Sequence, residues 1–286
     1  MAKMQKKRSF SADIWRRFTK NKPAVFGMCL FIIIMMVALC ANLIVPAEKA
    51  IEVTPNRLLP PSVEHWFGTD NVGRDLFARV IHGSRYSLSI GLVSTGIAVI
   101  IGSFIGAACG YYGSLFDSVV MRLLDIINSM PALLLLMAIV AAMGAGTVNF
   151  FIAMTIALTP GFIRLVRSTV MSITDIEYIQ AAKAYGSSSF HIIVKHVMPN
   201  AMGLIIVDTA NSISGAILAA AGLSYLGFGV QPPTPEWGVI LSSMEKYMRV
   251  VPTGMLFPGL AIMLSALSIN LVGDGLRDAL DPKLKD

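Results

Sequence analysis

The chain has 286 residues, of which 55% are apolar and only 14% charged, against roughly 25% charged residues in an average soluble domain; this excludes a soluble globular enzyme and assigns most of the chain to a bilayer. The net charge of +6 is no nucleic-acid signature, because the basic residues from Lys3 to Lys22 flank an apolar run and no basic stripe recurs along a helix face. The cysteines, Cys29, Cys40 and Cys109, fall in apolar segments, where they act as small hydrophobes and suggest neither a disulfide framework nor a metal cluster.

In chain order, residues 1–23 read as a basic cytoplasmic N-terminus. Ala24 to Val45 is a run of 22 residues without a charge, longer than the core of a signal peptide and close to the ~20 residues a spanning helix needs. It reads as a retained first span. Residues 46–86 follow outside, grouped with that span as an N-terminal addition over 24–86. Within them Leu76, Phe77, Val80 and Ile81 share one helical face with Arg74, Arg79 and Arg85 elsewhere, the pattern of a helix resting in the interface.

A five-helix core then occupies 87–274, and residues 275–286 form a cytoplasmic C-terminus. Its charge-free runs are Ser87 to Phe116, Ile126 to Ile163, Val197 to Pro235 (broken by Asp208) and Val250 to Gly273. The second is too long for one helix at ~1.5 Å per residue, and "GAGT" at Gly144 to Thr147 divides it, which predicts six transmembrane helices in all. With the N-terminus inside, most of the 23 Lys and Arg residues fall on or near the inner side, as the positive-inside rule requires. The basic residues of the external segment are matched by as many carboxylates. No internal repeat is visible.

Gly102, Gly106 and Gly110 give two overlapping G-x-x-x-G steps, a small-residue face on which a helix of this chain or of another subunit can pack closely. Asp208 is the one carboxylate well inside a late span, where an ionised Asp costs roughly 2.5–3.5 kcal/mol. Asn211, Ser212 and Gly215 follow at i+3, i+4 and i+7. This polar stripe either lines a translocation path, bonds a neighbouring helix, or lies near enough to the inner surface to be solvated. "QPPTPEWG" at Gln231 to Gly238 cannot be helical through its prolines and reads as a rigid outer turn, part of a gate. His65, His82, His191 and His196 form no H-E-x-x-H and no pair at i, i+4, so no metal site is expected.

The polar stretch "TDIEYIQAAKAYGSSSFHIIVKHVMPN", within residues 172–200, sits between two apolar runs. Thr174 with Glu177 has the form of a capping box. Tyr178, Ala182 and Tyr185 then recur on one helix face, and Gly186 stands where a left-handed glycine would end the helix. Ser187 to Ser189 can cap a second helix, with Phe190, Ile193, Val194 and Val197 on its apolar face, before Pro199 opens the next span. The first helix, ~16 Å long, cannot cross ~30 Å of hydrocarbon and must lie on the inner face. Ala181, Ala182 and Ala184 leave it nearly bare, suited to close approach by another protein, although an interfacial hairpin packed on the membrane fits the same pattern.

"QAAKAYG", with Pro199 thirteen positions beyond Gly186, resembles the Glu-Ala-Ala loop of ABC import permeases. "FGTDNVGRDLFARVIHGSRYSL" at Phe67 to Leu88, "AGLSYLGFGVQPPTPEWG" at Ala221 to Gly238 and "GDGLRDALDPKLK" at Gly273 to Lys285 narrow the resemblance to the second permease subunit of dipeptide, oligopeptide and nickel import systems. It covers essentially the whole chain. It differs at Gln180, where that family usually has glutamate, and the lost charge is expected to alter the hydrogen bonds bracing the loop.

The resemblance implies an all-α integral membrane protein of the type I ABC importer class in the bacterial or archaeal inner membrane. It implies as partners a second homologous permease, two cytoplasmic ATPase subunits or domains that bind ATP and Mg, an extracytoplasmic binding protein facing the outer region, and membrane lipid. The loop residues Glu177, Tyr178, Gln180, Ala181, Ala182, Tyr185, Gly186 and Pro199 would meet the ATPase. Di- or oligopeptides are the implied cargo, with nickel, free or chelated, as the alternative. The chain itself has no G-x-x-x-x-G-K-[ST] phosphate loop, so no catalytic site and no cofactor is expected in it. A secondary transporter would need inverted repeats, broken helices and intramembrane ion-coupling charges; the sequence offers one candidate carboxylate and no repeat.

Overall fold

A computed structural model describes residues 10–280. The tail residues Lys3 to Arg8, and Lys283 and Lys285 of the last quoted motif, lie outside the described residues. Twelve α-helices follow along the described chain: α1 (Phe10–Lys20), α2 (Lys22–Leu39), α3 (Ala41–Ile44), α4 (Leu76–Tyr112), α5 (Ser114–Asn128), α6 (Ala132–Met143), α7 (Thr147–Thr174), α8 (Glu177–Ala184), α9 (Ser189–Ile192), α10 (Met198–Tyr225), α11 (Trp237–Met244) and α12 (Thr253–Leu280). A π-helical turn, Ile193–Val197, joins α9 to α10 without a break.

Five runs are long and apolar enough to cross a membrane: α2, α4, α7, the continuous stretch Ser189–Tyr225, and α12. The remaining predicted span, third in chain order, takes a different form. It is a pair, α5 and α6, bent by 90° at Ser129 to Pro131, because Pro131 has no N–H to continue the ladder and takes an extended conformation. The break at Gly144 to Gly146 falls as expected, with Gly144 at a φ of 83°.

No break in the helix falls near residue 86, where the five-helix core was expected to begin. α4 runs unbroken for 37 residues, about 55 Å at 1.5 Å per residue, and most of its first turns are packed against protein. Leu76, Arg79, Val80, His82 and Ser84 are all buried, so the expected interfacial helix with solvated arginines is corrected to a packed helix end. The arginines are answered locally. Arg74 Nε donates to Asp70 at 2.6 Å, Arg79 Nη1 donates to the Ala50 carbonyl at 3.0 Å, and Arg85 donates to the Ala38 and Leu39 carbonyls that end α2, where a cation also suits the helix dipole.

At this same end, Gln231 to Pro235 forms a non-helical turn and Glu236 caps α11, its carboxylate accepting from the Val239 N–H at 3.0 Å and the Ser87 hydroxyl at 2.9 Å. Trp237 Nε1 donates to the Val80 carbonyl at 2.9 Å, pinning the turn to α4. The proline-rich turn is therefore followed by a buried helix, which the pattern did not announce.

α10 occupies the middle of the bundle, touching α4, α7, α11 and α12, while α2 lies outermost against α12 and α4. The glycine stripe of α4 faces α7 of the same chain. A methyl group on Gly106 would stand 2.6 Å from the Ile163 carbonyl oxygen and one on Gly110 2.7 Å from that of Arg167, and Gly102 lies as close to Phe162. Small residues let the two backbones meet, which answers within this chain the question the spacing left open.

Candidate functional site

Beyond α7 the chain turns at Asp175 and Ile176 into α8, and here the local hydrogen bonds depart from the capping box. Thr174 belongs to the last turn of α7 and its hydroxyl bonds back to the Met171 carbonyl at 2.9 Å; the cap position of α8 is Ile176, which contributes no side-chain cap. Glu177 opens the helix, exposed, where a carboxylate favours the positive helix end. Gln180 supplies the brace: its Nε2 donates to the Thr174 carbonyl at 3.0 Å.

The far end closes as the glycine predicted. Gly186 has a φ of 78°, its N–H donates to the Lys183 carbonyl, and the Ser187 N–H donates to the Ala182 carbonyl, the paired bonds of a Schellman motif. Ser188 then caps α9, accepting from the His191 N–H at 3.3 Å.

The faces of both short helices differ from the expected ones. Ile179 of α8 and Ile192 of α9 are fully buried, in a cluster with Val166, Val170 and Ile173 of α7, Ala107 of α4 and Ala201 of α10. Ala182 is half-buried on the same side as Ile179, whereas Tyr185 is 90% exposed and Tyr178 is exposed as well. At 100° per residue, Glu177, Ala181, Ala184, Tyr185 and Tyr178 form the arc opposite Ile179, and this is the bare surface. In the second helix Phe190 is 73% exposed and Val194 exposed, while Val197 is buried. The π turn widens the period there, so positions chosen for a 3.6-residue repeat rotate off the face.

The element is tied down at its sides. Tyr178 Oη accepts from Asn200 Nδ2 at 2.9 Å, Lys183 Nζ lies 4.9 Å from the Tyr111 ring centroid, and Pro199 sits exposed in the first turn of α10. The π turn also turns His191 and His196 toward one another, their ring centroids 5.9 Å apart, a pairing that a search at i, i+4 misses. Among the described residues no group of three or more His, Cys, Asp or Glu side chains is placed to hold a metal ion.

The residues of the polar stripe are not gathered at one point. Asp208 lines an open pocket of about 600 Å³ with Met121, Gly161, Arg164, Arg167 and Ser168. Asn211 leans the other way, over Gly273 of α12, and Ser212 is half-buried. What sequence reasoning missed here is α5, whose Asp117 accepts from Arg167 Nη2 and whose Asp125 accepts from Arg164 Nη2, both at 2.6 Å. Acidic residues at i and i+8 on an amphipathic helix were the available signal.

Residues 98–286 match the family described as the binding-protein-dependent transport system inner membrane component, and residues 9–61 match the N-terminal transmembrane domain of oligopeptide transport permease C. The chain is 43% identical over 273 residues to the dipeptide transport system permease protein DppC of Alkalihalophilus pseudofirmus, covering 96% of this chain and 90% of that one. It is 42% identical to the di/tripeptide transport system permease protein DppC of Pseudomonas aeruginosa (96% and 92% covered) and 39% identical to the glutathione transport system permease protein GsiD of Pectobacterium atrosepticum (96% and 91% covered). Its fold is similar to a chain of the inward-facing MetNI methionine ABC transporter, with a TM-score of 0.59 at 18% identity over 72% of this chain and 98% of that chain.

Proposed function

Because the chain belongs to the family of binding-protein-dependent transport inner membrane components, we propose that it is the permease subunit of an ATP-driven importer of di- or oligopeptides, working through α8 and α9. The chain is an integral protein of the inner membrane and a permease component, not itself an ATPase. In this reading α8 and its turn seat in a groove of a cytoplasmic ATPase, and the N- and C-termini lie on the same side. ATP and Mg belong to a pair of such ATPase subunits. A second homologous permease completes the pathway, and an extracytoplasmic binding protein delivers cargo to the α11 end.

The observation that carries the reading is the construction of α8. It is anchored by Ile179, closed by Gly186, braced by Gln180, and turns a face of alanines and exposed tyrosines away from the bundle. A helix that merely rested on lipid would turn its apolar face outward; here the apolar face is already consumed by the bundle. The peptide cargo is supported by the relatives named for dipeptide, di/tripeptide and glutathione transport, glutathione being itself a short peptide.

The test is Ala181→Glu in the complete importer reconstituted in vesicles. The expected result is normal insertion with loss of ATPase-subunit co-purification and of uptake. Full uptake by that variant would refute docking through this face, and uptake of nickel in place of peptide by the wild type would refute the cargo.

A further inference from the structure

The pocket between α5, α7 and α10 has an unequal charge count. Arg164 and Arg167 both line it, but each guanidinium is already paired with a carboxylate of α5. Asp208 faces the same space and has no hydrogen bond or ion pair to any described residue. Its own helix holds no Lys or Arg between Met198 and Tyr225, and Arg122 of α5 does not line the pocket. One negative charge is left over.

Two features argue that this charge faces a path and not a gap in packing. Asp208 is the eleventh of the 28 residues of α10, inside the spanning helix and beyond the short helices that precede it, where a site in an alternating-access carrier can be uncovered as the bundle opens. The backbone around it is also open: a Cβ on Gly161, or on Gly215 two turns along α10, would meet nothing within 4 Å. An unpaired carboxylate at that depth is costly unless a cation or water reaches it, and a charge-assisted hydrogen bond from a cation is the strong way to answer it.

We propose that Asp208 binds the free α-ammonium group of the peptide cargo during its passage. This assignment rests on the peptide-importer reading above. A short peptide carries that ammonium whatever its side chains, so one carboxylate serves many sequences.

The experiment uses the complete importer in vesicles, with its binding protein saturated by tritiated dialanine, and compares wild type with Asp208→Asn and Asp208→Glu. Loss of a charged hydrogen bond predicts about a tenfold fall in dialanine turnover for Asp208→Asn, with Asp208→Glu recovering most of it. Subunit assembly should be unchanged. N-acetyl-dialanine, compared at equal binding-protein occupancy, should be carried equally by wild type and Asp208→Asn. The assignment is overturned if Asp208→Asn carries dialanine at the wild-type rate, if both cargoes fall together, or if the variant fails to assemble, which would make the second permease subunit the partner of Asp208. A wild type that carries no peptide would instead refute the importer reading itself.

Discussion

Gln180 donates its side-chain amide to the Thr174 carbonyl oxygen across 3.0 Å, joining the middle of α8 to the end of α7. A glutamate there, ionised and acceptor-only, could not make this bond. The brace in this chain therefore depends on the residue that departs from the usual pattern. Gln180→Glu should cost up to about 1 kcal/mol of local stability, the net worth of one partly solvated hydrogen bond. Faster hydrogen exchange at the amides of residues 176–186 is the expected outcome; unchanged protection would show that the bond braces nothing.

Gly186 holds a φ of 78° in open space, with nothing within 4 Å of a Cβ placed there. Any cost of substitution is therefore conformational and not steric. Gly186→Val should lose roughly 1–2 kcal/mol from the turn, and Gly186→Asn clearly less. Measured as the ratio of uptake to ATP hydrolysed in the reconstituted importer, coupling should fall in that order.

Ile179 is the buried anchor of α8. Ile179→Ala should destabilise the short helix by about 2–5 kcal/mol, more than enough to free it while the long helices stay folded. Limited proteolysis near Gly186 at unchanged global melting temperature is the readout.

Gly106→Leu would force a side chain against the Ile163 carbonyl and Val166, where α4 and α7 meet through backbone. Since neither backbone can give way, the expected loss is 3 kcal/mol or more (roughly, as for severe overpacking). Gly96→Ala, on the same helix with nothing within 4 Å, is the control and should leave the melting temperature unlowered, because Ala favours the helix over Gly.

Burial pushes the Glu236 carboxyl above its ordinary range, although the Gly238 N–H, the Ser87 hydroxyl, the Val239 N–H and Ser224 pull it back. The folded state then binds its proton more tightly than the unfolded chain does, so stability falls as pH rises from about 4.3 to the raised value and is flat beyond it. Glu236→Gln, which keeps an acceptor for the cap, should abolish that slope. The check is the melting-temperature difference between wild type and variant, followed upward in pH from about 4.3, the ordinary value of the carboxyl.

The long-range plan was legible because its signals are strong: apolar runs of spanning length, the glycines at four-residue spacing, and the helix-stopping Gly186. Local detail was lost wherever a nearby group changed the geometry. Thr174 was free to extend α7 because Gln180 took over the bracing, a bond no cap pattern encodes. Phe190 and Val194 left the apolar face because the turn at Ile193–Val197 is π-helical. Pro131 broke the third span at a point where the hydrophobic run continues without interruption. Arg74 and Arg79 looked solvated because their partners, Asp70 and the Ala50 carbonyl, are contributed by a segment with no regular pattern of its own.

The seam of glycines makes α4 and α7 a single stiff body, and α8 hangs from one end of it while Trp237 is pinned near the other. A rod of about 55 Å that tilts by roughly 5° carries its far tip about 5 Å sideways. Motion delivered to the short helix would thus arrive at the opposite rim enlarged and without delay, as with a tiller, and not be dissipated in bending along the way.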